Sequence, residues 1–345
     1  MEQLNRKQYN SIDLFKLIFS FAVIAIHTEP FHNCTIEWIV RINKVVTGLA
    51  VPFFFISAGF LLGNKLSLDY EKVEKDVLIL KKYLKRILKM YLIWMLIYMP
   101  LAISHYSLSG YTFIKGLAYY VNGLIFVGEQ YNNWVLWYLL STVYVILLLL
   151  IIIKKNNSFK PLTSILLTIS VVASIIVVVF GFVGHLQSET HGILGSGQKV
   201  VSMVFSSGRI FNGFIYIPIG IVLSKKSIPT TYCICFFCVG IIGKFVMIDK
   251  YISLYPLIIS SVGLFELILR LNLSNKVLYS VMRKMSTTVF LIHLYIWTAY
   301  YMVVYGTKTY GADSFIVVSM VSALISIFVW IVYNKNKKEN INSVL

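Results

Sequence analysis

Lys16 and His27 are separated by eleven positions in the stretch SIDLFKLIFSFAVIAIHTEPF, which is otherwise strongly apolar. On an α-helix their side chains would project only about 20° apart and lie roughly 16 Å apart along the axis. A cation and an imidazole are costly inside an apolar helix, so their default interpretation is a polar pathway through a helical bundle. Because histidine exchanges a proton near neutral pH, the pair suits proton transfer and charge attraction within a membrane.

Two acidic residues flank this pair. Asp13 precedes Lys16 by three positions, so the two can form an ion pair that lowers the cost of burying the lysine. Glu29 lies near the opposite end of the stretch, two residues after His27 and not on the same helix face. A structural role for His27 at the membrane interface stays open beside the chemical one, and Lys16 on the same stripe is the reason to keep the chemical one.

Basic residues cluster in the segment LKKYLKRILKMY, where Arg86 and Lys89 share a helix face. An excess of cations on the cytoplasmic side of a membrane protein explains two or three of them. The remainder favours a cytoplasmic site for a phosphorylated ligand or for anionic lipid head groups.

Two further spans contain polar side chains. Ser57 lies among bulky aromatics in VPFFFISAGFLLG, where small residues let neighbouring helices approach closely and where a hydroxyl can also stabilise developing charge. Helix packing is the favoured interpretation of that notch. His293 lies in the middle of STTVFLIHLYIW, and its cost in lipid predicts that it faces the bundle interior.

Several residues mark the side of the membrane that His27 approaches. Trp134 follows a tyrosine-rich stretch over 105–133, which either covers a cavity mouth or simply anchors the chain at the interface. Arg209 and Asn212 open the later apolar segment GRIFNGFIYIPIG, where an arginine either extends to the interface or holds an acceptor.

Composition places these residues in a membrane protein. Of the 345 residues, 58% are hydrophobic and 13% are charged, which is typical of a polytopic integral membrane protein. Lysine and arginine total 31 against 14 acidic residues, and this excess is explained by cytoplasmic loops, so no nucleic-acid partner is expected. The four cysteines fit small core residues, and neither they nor the loop residues His185, Glu189 and His191 predict a metal site.

The fold predicted is an all-α bundle that forms one transmembrane domain over residues 1–345. Both termini are placed in the cytoplasm, because that orientation puts most lysines and arginines inside. About ten transmembrane helices are expected from the apolar stretches, two of which are near the lower length limit for a span. The predicted spans are 12–30, 46–64, 86–104, 134–153, 161–183, 209–224, 231–248, 251–270, 286–306 and 314–333.

These motifs together resemble the acyltransferase type 3 membrane family over nearly the whole chain. The run IDLFK, ten residues and then His27 is similar to that family's Arg-x10-His signature, with lysine at the arginine position. VPFFFISAGFLL, KRILKMY, NWVLWYLL and VFLIHLYIW resemble further family motifs in order, with Arg86-x-x-Lys89 in place of Arg-x-x-Arg. The sequence of these motifs is most similar to the membrane half of the vancomycin-resistance serine racemases, and we expect the attached racemase domain to be absent here.

The resemblance implies an O-acyltransferase in the plasma membrane that moves an acetyl group from cytoplasmic acetyl-CoA to a hydroxyl of an envelope glycan or its lipid-linked precursor. Acyl-CoA is then a substrate, with no tightly bound cofactor, and a homo-oligomer is compatible with the pattern. His27, His293 and Ser57 are the catalytic candidates, and Asp13, Lys16, Arg86 and Lys89 are the donor-binding candidates. The acceptor-side candidates are Glu29, Trp134, Arg209 and Asn212.

Two other functions use the same residues differently. A permease for a small polar solute such as serine would use the polar stripe as its pathway, although no internal repeat of the kind common in transporters is evident. Pro52 and Pro218 are the candidate helix breaks for such a pathway. A membrane scaffold is the third interpretation, and it leaves Lys16, His27 and His293 without a role.

Overall fold

The computed structural model describes residues 8–69, 72–155, 159–186, 208–247, 249, 252–274 and 277–342. Within these ranges the chain forms helices and no strands, which confirms the all-α prediction. The α-helices are α1 (Asn10–Thr28), α2 (Glu37–Gly48), α3 (Ala50–Gly63), α4 (Val73–Leu108), α5 (Phe113–Asn122), α6 (Trp137–Lys155), α7 (Phe159–Leu186), α8 (Asn212–Leu223), α9 (Thr230–Val246), α10 (Leu254–Leu269), α11 (Val277–Val304) and α12 (Ala312–Asn342).

Seven helical segments in the described part of the chain are long and apolar enough to cross a membrane. They coincide with seven of the ten predicted spans, and the chain is therefore a multi-pass membrane protein. The other three predicted spans lie on α8, α9 and α10, which have 12, 17 and 16 residues. A crossing by these shorter helices, and the cytoplasmic location of both termini, stay predictions.

Helical structure extends further than the apolar stretches indicated. Helix α4 has 36 residues and begins at Val73, thirteen residues before the predicted span, because lysine and arginine favour a helix nearly as well as leucine. The stretches 31–45 and 105–133 were placed outside the spans, yet they contain most of α2 and all of α5. Their polar residues lowered the mean hydropathy without breaking the helical period.

The chain divides into two compact units, and the first comprises Met1–Phe53 with Gly263–Leu345. In this unit α1, α11 and α12 pack on one another. Helix α11 buries a stripe that includes Val289, His293, Trp297 and Tyr301, spaced one turn apart. The backbone N–H of Gly311 donates to the Thr28 carbonyl at 2.9 Å and so ties the start of α12 to the end of α1.

The second unit comprises Phe54–Val262, in which α4 packs on α6, and α8 packs on α6 and α7. Asp76 near the start of α4 is almost fully buried and accepts three hydrogen bonds from the preceding loop. Its donors are the Ser67 N–H at 2.8 Å, the Ser67 hydroxyl at 3.0 Å and the Leu68 N–H at 2.7 Å. These bonds hold the loop between α3 and α4 in place, and Lys225 adds a bond to the Leu66 carbonyl at 2.7 Å.

Glycines in α3 and α8 bring the two backbones into direct contact. A Cβ added at Gly59 would collide with the carbonyl oxygen of Ile217, and one at Gly220 would collide with the carbonyl oxygen of Ile56. We expect Gly220→Val to lower the free energy of unfolding by about 1–3 kcal/mol, because the helices must separate. Thermal unfolding in detergent would measure this loss. Gly48→Ala is the control, since a Cβ at Gly48 meets nothing within 4 Å, and an equal loss in both variants would contradict the prediction.

Candidate functional site

The first unit brings two of the predicted catalytic residues together. The rings of His27, near the end of α1, and His293, in the middle of α11, have centroids 5.5 Å apart and planes tilted by 32°. His293 is fully buried, as its position in the span predicted, whereas His27 is partly exposed. Two titratable rings on adjacent helices thus form a histidine pair in the interior of this unit.

The tautomer of His293 follows from its surroundings. Its Nδ1 lies 3.2 Å from the Val289 carbonyl oxygen, which can only accept, so Nδ1 carries the proton in the neutral ring. Its Nε2 is then an acceptor, and among the described residues it has no hydrogen-bond partner. A buried imidazole with one nitrogen engaged and the other open is poised to hold a polar group of a bound molecule.

Helix α1 ends at Thr28, and the next residue, Glu29, adopts the left-handed conformation and donates its backbone N–H to the Ala25 carbonyl. The Glu29 carboxylate lies 3.0 Å from Nδ1 of His32, and both side chains are about half exposed. Glu29 therefore holds the turn that follows the helix, at the same end as His27. Its predicted acceptor-side role stays a prediction.

An aromatic cluster lies one turn beyond the histidine pair. Trp297, four residues after His293, is fully buried and donates its indole N–H to the Thr309 carbonyl at 3.2 Å. The Tyr310 ring packs against Trp297 at 5.5 Å and against His32 at 5.2 Å. These contacts join the start of α12 and the turn after α1 to α11 at the end of the unit where the two histidines lie.

The opposite end of α1 carries charged residues. Asp13 forms an ion pair with Arg283 of α11 at 3.5 Å, and the charge of Lys16 also acts on this carboxylate. Lys16 is partly exposed and lies on the same helix as His27, so the predicted stripe is present. Sequence spacing pointed to Lys16 as the partner of Asp13 and missed Arg283, because Arg283 approaches from another helix.

Glu266 lies near the end of α10, four residues before Arg270. The structure shows a salt bridge between Glu266 and Arg270 at 2.9 Å, within the first unit. The carboxylate is nearly fully buried, and its location one helical turn before Arg270 explains why the two side chains pair.

In the second unit, Ser57 is fully buried on α3 beside the glycine contacts described above. The close approach of α3 and α8 agrees with the packing interpretation of this small-residue notch. Its catalytic role stays a prediction.

Arg86 and Lys89 lie on the basic part of α4, and both are exposed. The guanidinium of Arg86 is 5.0 Å from the centre of the Tyr83 ring on the preceding turn. Exposure leaves both charges accessible to a phosphorylated ligand or to lipid head groups, and the structure shows the shared face that the spacing predicted.

The remaining acceptor-side candidates also lie in the second unit. Arg209 forms a salt bridge of 3.4 Å with Glu129, a partner that sequence spacing could not indicate. Asn212 donates its side-chain amide to the Arg209 carbonyl at 2.9 Å at the start of α8. Trp134 begins a short 3₁₀ turn that leads into α6. The first two residues hold one helix start together, and the role of all three toward an acceptor stays a prediction.

A comparison with protein families shows which class of protein this chain is. The model of the acyltransferase type 3 family, described as an acyltransferase domain, matches residues 9–334. The chain belongs to this family. The resemblance carried by the sequence motifs is thereby confirmed, and the protein is an acyltransferase of the non-aminoacyl kind. His27 and His293, which come from two of those motifs, meet in the interior of this acyltransferase.

Curated relatives of this acyltransferase are racemases that match only part of it. Two are described as amino-acid racemases of Enterococcus faecalis, 33% and 27% identical over 134 and 149 residues. A third, described as a serine/alanine racemase of Enterococcus gallinarum, is 28% identical over 123 residues. The matches cover 36–40% of this chain and only 17–19% of the racemases, so the chain spans less than a fifth of their length. No solved structure matches the acyltransferase.

Within the described residues of the acyltransferase, no three histidine, cysteine or acidic side chains are grouped as metal ligands would be. Cys233 is buried, while Cys235 and Cys238 on the same helix are exposed. The loop residues Glu189 and His191 lie outside the described residues, as does the side chain of His185.

Proposed function

We propose that this acyltransferase moves an acetyl group from cytoplasmic acetyl-CoA to a hydroxyl of a cell-envelope glycan or its lipid-linked precursor, in the plasma membrane. The observation that carries the proposal is the pairing of His27 with the fully buried His293 inside a member of an acyltransferase family. Acyl transfer to a hydroxyl needs a base at the reacting oxygen, and histidine is the side chain most often used.

In the proposed reaction His27 accepts the proton of the acceptor hydroxyl. The oxygen attacks the thioester carbonyl, the new C–O bond forms and the C–S bond breaks. The proton then passes from His27 to the departing sulfur, so the products are the acetyl ester and free CoA. His293, with its proton on Nδ1, offers Nε2 as a hydrogen-bond acceptor to a neighbouring hydroxyl of the glycan, and this bond orients the reacting hydroxyl beside His27.

The cationic residues suit the charged end of the donor. In the first unit Lys16 lies on α1 roughly 16 Å along the axis from His27. In the second unit Arg86 and Lys89 are exposed on α4. Each provides positive charge of the kind that phosphates require, and Asp13 with Arg283 holds the Lys16 end of α1 against α11.

Purified protein in liposomes, given labelled acetyl-CoA and an envelope-glycan extract, tests the proposal. We expect label to appear in the glycan as an ester that is released by mild base. The absence of transfer, together with uptake of labelled serine into the liposomes, would instead favour a permease. Similarity to a serine/alanine racemase is the observation that keeps this second function in the test. Pro218 lies within α8 and does not break it, whereas Pro52 follows by three residues the break at Leu49 that separates α2 from α3.

A further inference from the structure

The buried face of α12 carries hydroxyl groups that lack a hydrogen-bond partner. Ser314 and Ser322 are fully buried, and the hydroxyl oxygen of Ser319 is buried as well. None of these three oxygens has a partner among the described residues, whereas Ser326 donates to the Ala323 carbonyl at 2.8 Å. Buried polar groups in native proteins are nearly always hydrogen-bonded, so three such hydroxyls on one helix call for a polar partner.

These hydroxyls share one side of the helix. Ser314, Ser319 and Ser322 project within an arc of about 140°. Outside that arc α12 exposes large apolar side chains, including Ile316 and Met320, whose exposed fractions are 53% and 61%. Helix α12 packs against α1 and α11, so the serine face is directed toward the two helices that carry the histidine pair.

The serines span the distance between Lys16 and His27. Helices α1 and α11 run in the same direction, because Asp13 meets Arg283 near one end and His27 meets His293 near the other. Helix α12 returns antiparallel from Gly311, which bonds to Thr28. At about 1.5 Å per residue, Ser314 lies about 4.5 Å and Ser322 about 16 Å below that bond. Ser314 is therefore near the level of His27, and Ser322 is near the level of Lys16.

His293 adds an unpartnered atom at the upper end of this row. Its Nε2 is fully buried and has no partner in the described part of the chain, like the three hydroxyls. Four unsatisfied polar atoms, on two helices that pack together, thus follow the axis of α1. In the apolar interior of a membrane protein, each such atom is expensive unless water or a polar ligand reaches it.

We propose that Ser314, Ser319 and Ser322 line a polar passage within the first unit that receives the amide-bearing arm of the acyl thioester donor. The inference rests on the proposed function and specifies where that donor lies. Amide groups both donate and accept hydrogen bonds, as hydroxyls do, so an extended arm can satisfy the row. Its phosphate end would remain near Lys16 while the thioester reaches His27.

Cysteine labelling tests the passage. In a background where the four native cysteines are replaced by alanine, Ser322→Cys is compared with Met320→Cys, a position exposed on the opposite side of the same helix. The probe is a small, charged methanethiosulfonate, which reacts with the thiolate and therefore needs water at the thiol. We expect the Ser322→Cys variant to be labelled about tenfold faster or more, because a thiol in hydrocarbon stays protonated.

Ligand protection identifies the occupant. Acetyl-CoA and desulfo-CoA, neither of which has a thiol that would consume the probe, should each slow the labelling of a Ser314→Cys variant, near the level of His27, severalfold. Adenosine 3′,5′-bisphosphate, which lacks the arm and would bind near Lys16, should not. Equal labelling rates in the Ser322→Cys and Met320→Cys variants would overturn the passage. Labelling of the Ser314→Cys variant that acetyl-CoA and desulfo-CoA do not slow, or that the bisphosphate slows equally, would overturn the donor arm as the occupant.

Measurements on the wild-type protein and on the Ser314→Cys variant distinguish the failure of this inference from the failure of the proposed function. Wild-type protein that transfers no acetyl group, while acetyl-CoA still protects the Ser314→Cys variant, would refute the proposed reaction and leave the passage standing. Active wild-type protein without protection would refute the passage alone. Gel filtration of each variant confirms that the labelled protein is folded.

Discussion

Replacement of His27 by alanine should lower the rate of acetyl transfer by about 10² to 10⁴, the usual contribution of a general base. The reason is that His27 would take the proton of the reacting hydroxyl, whereas the fully buried His293 would hold a neighbouring hydroxyl of the acceptor. Initial rates with labelled acetyl-CoA in liposomes would measure the loss. KM for acetyl-CoA should change little, because the base does not bind the phosphate end of the donor.

Two companion variants separate catalysis from structure. His27→Gln keeps much of the volume and a hydrogen-bonding group but provides no base, so it should be as inactive as His27→Ala. Ile26→Ala, at an exposed position next to His27 on α1, should retain the wild-type rate. Activity of the His27→Gln variant close to wild type would remove His27 as the base and leave it a structural residue of the α1–α11 contact.

The histidine pair shows which features of the site the residue spacing along one helix can predict. The stripe formed by Lys16 and His27 followed from the helical period alone, and both residues are found on α1. That His293 faces the interior followed from the cost of a histidine in lipid. That the two rings lie 5.5 Å apart could not be predicted, because it depends on the relative rotation of α1 and α11, which the packing of the whole stripe determines.

Partners from other elements were missed for the same reason. Asp13 pairs with Arg283, and Arg209 pairs with Glu129, in both cases across distances that no local pattern records. Where the two members are four residues apart, as Glu266 and Arg270 are, helical spacing accounts for the pair. Local electrostatics is therefore readable from this sequence, whereas contacts between helices need the fold.

Helix ends were predicted less well than helix centres. Every predicted apolar stretch has a helix at its centre, but α4 extends far beyond its span because hydropathy measures lipid solubility and not helix formation. The unpartnered serines of α12 could not be predicted, since serines in an apolar helix usually bond to their own backbone, as Ser326 does.

Lys16 provides the second large effect. Lys16→Met should raise KM for acetyl-CoA about tenfold or more, because it removes one contact between a charge and a phosphate. A tenfold loss of affinity corresponds to a binding free energy of about 1.4 kcal/mol. Lys16→Arg should stay within about threefold of wild type, because arginine keeps the charge at the same level of α1 and also binds phosphate. Steady-state kinetics over a range of acetyl-CoA concentrations would give KM and kcat separately.

Ile18→Met is the matched control, since Ile18 is two residues further along α1 and about half exposed. It should leave KM unchanged, which excludes a general effect of methionine in this helix. Equal KM values for the methionine and arginine variants at position 16 would show that the charge is not used by the donor. Lys16 would then only balance the charge of Asp13, and the donor would not contact the charged end of α1.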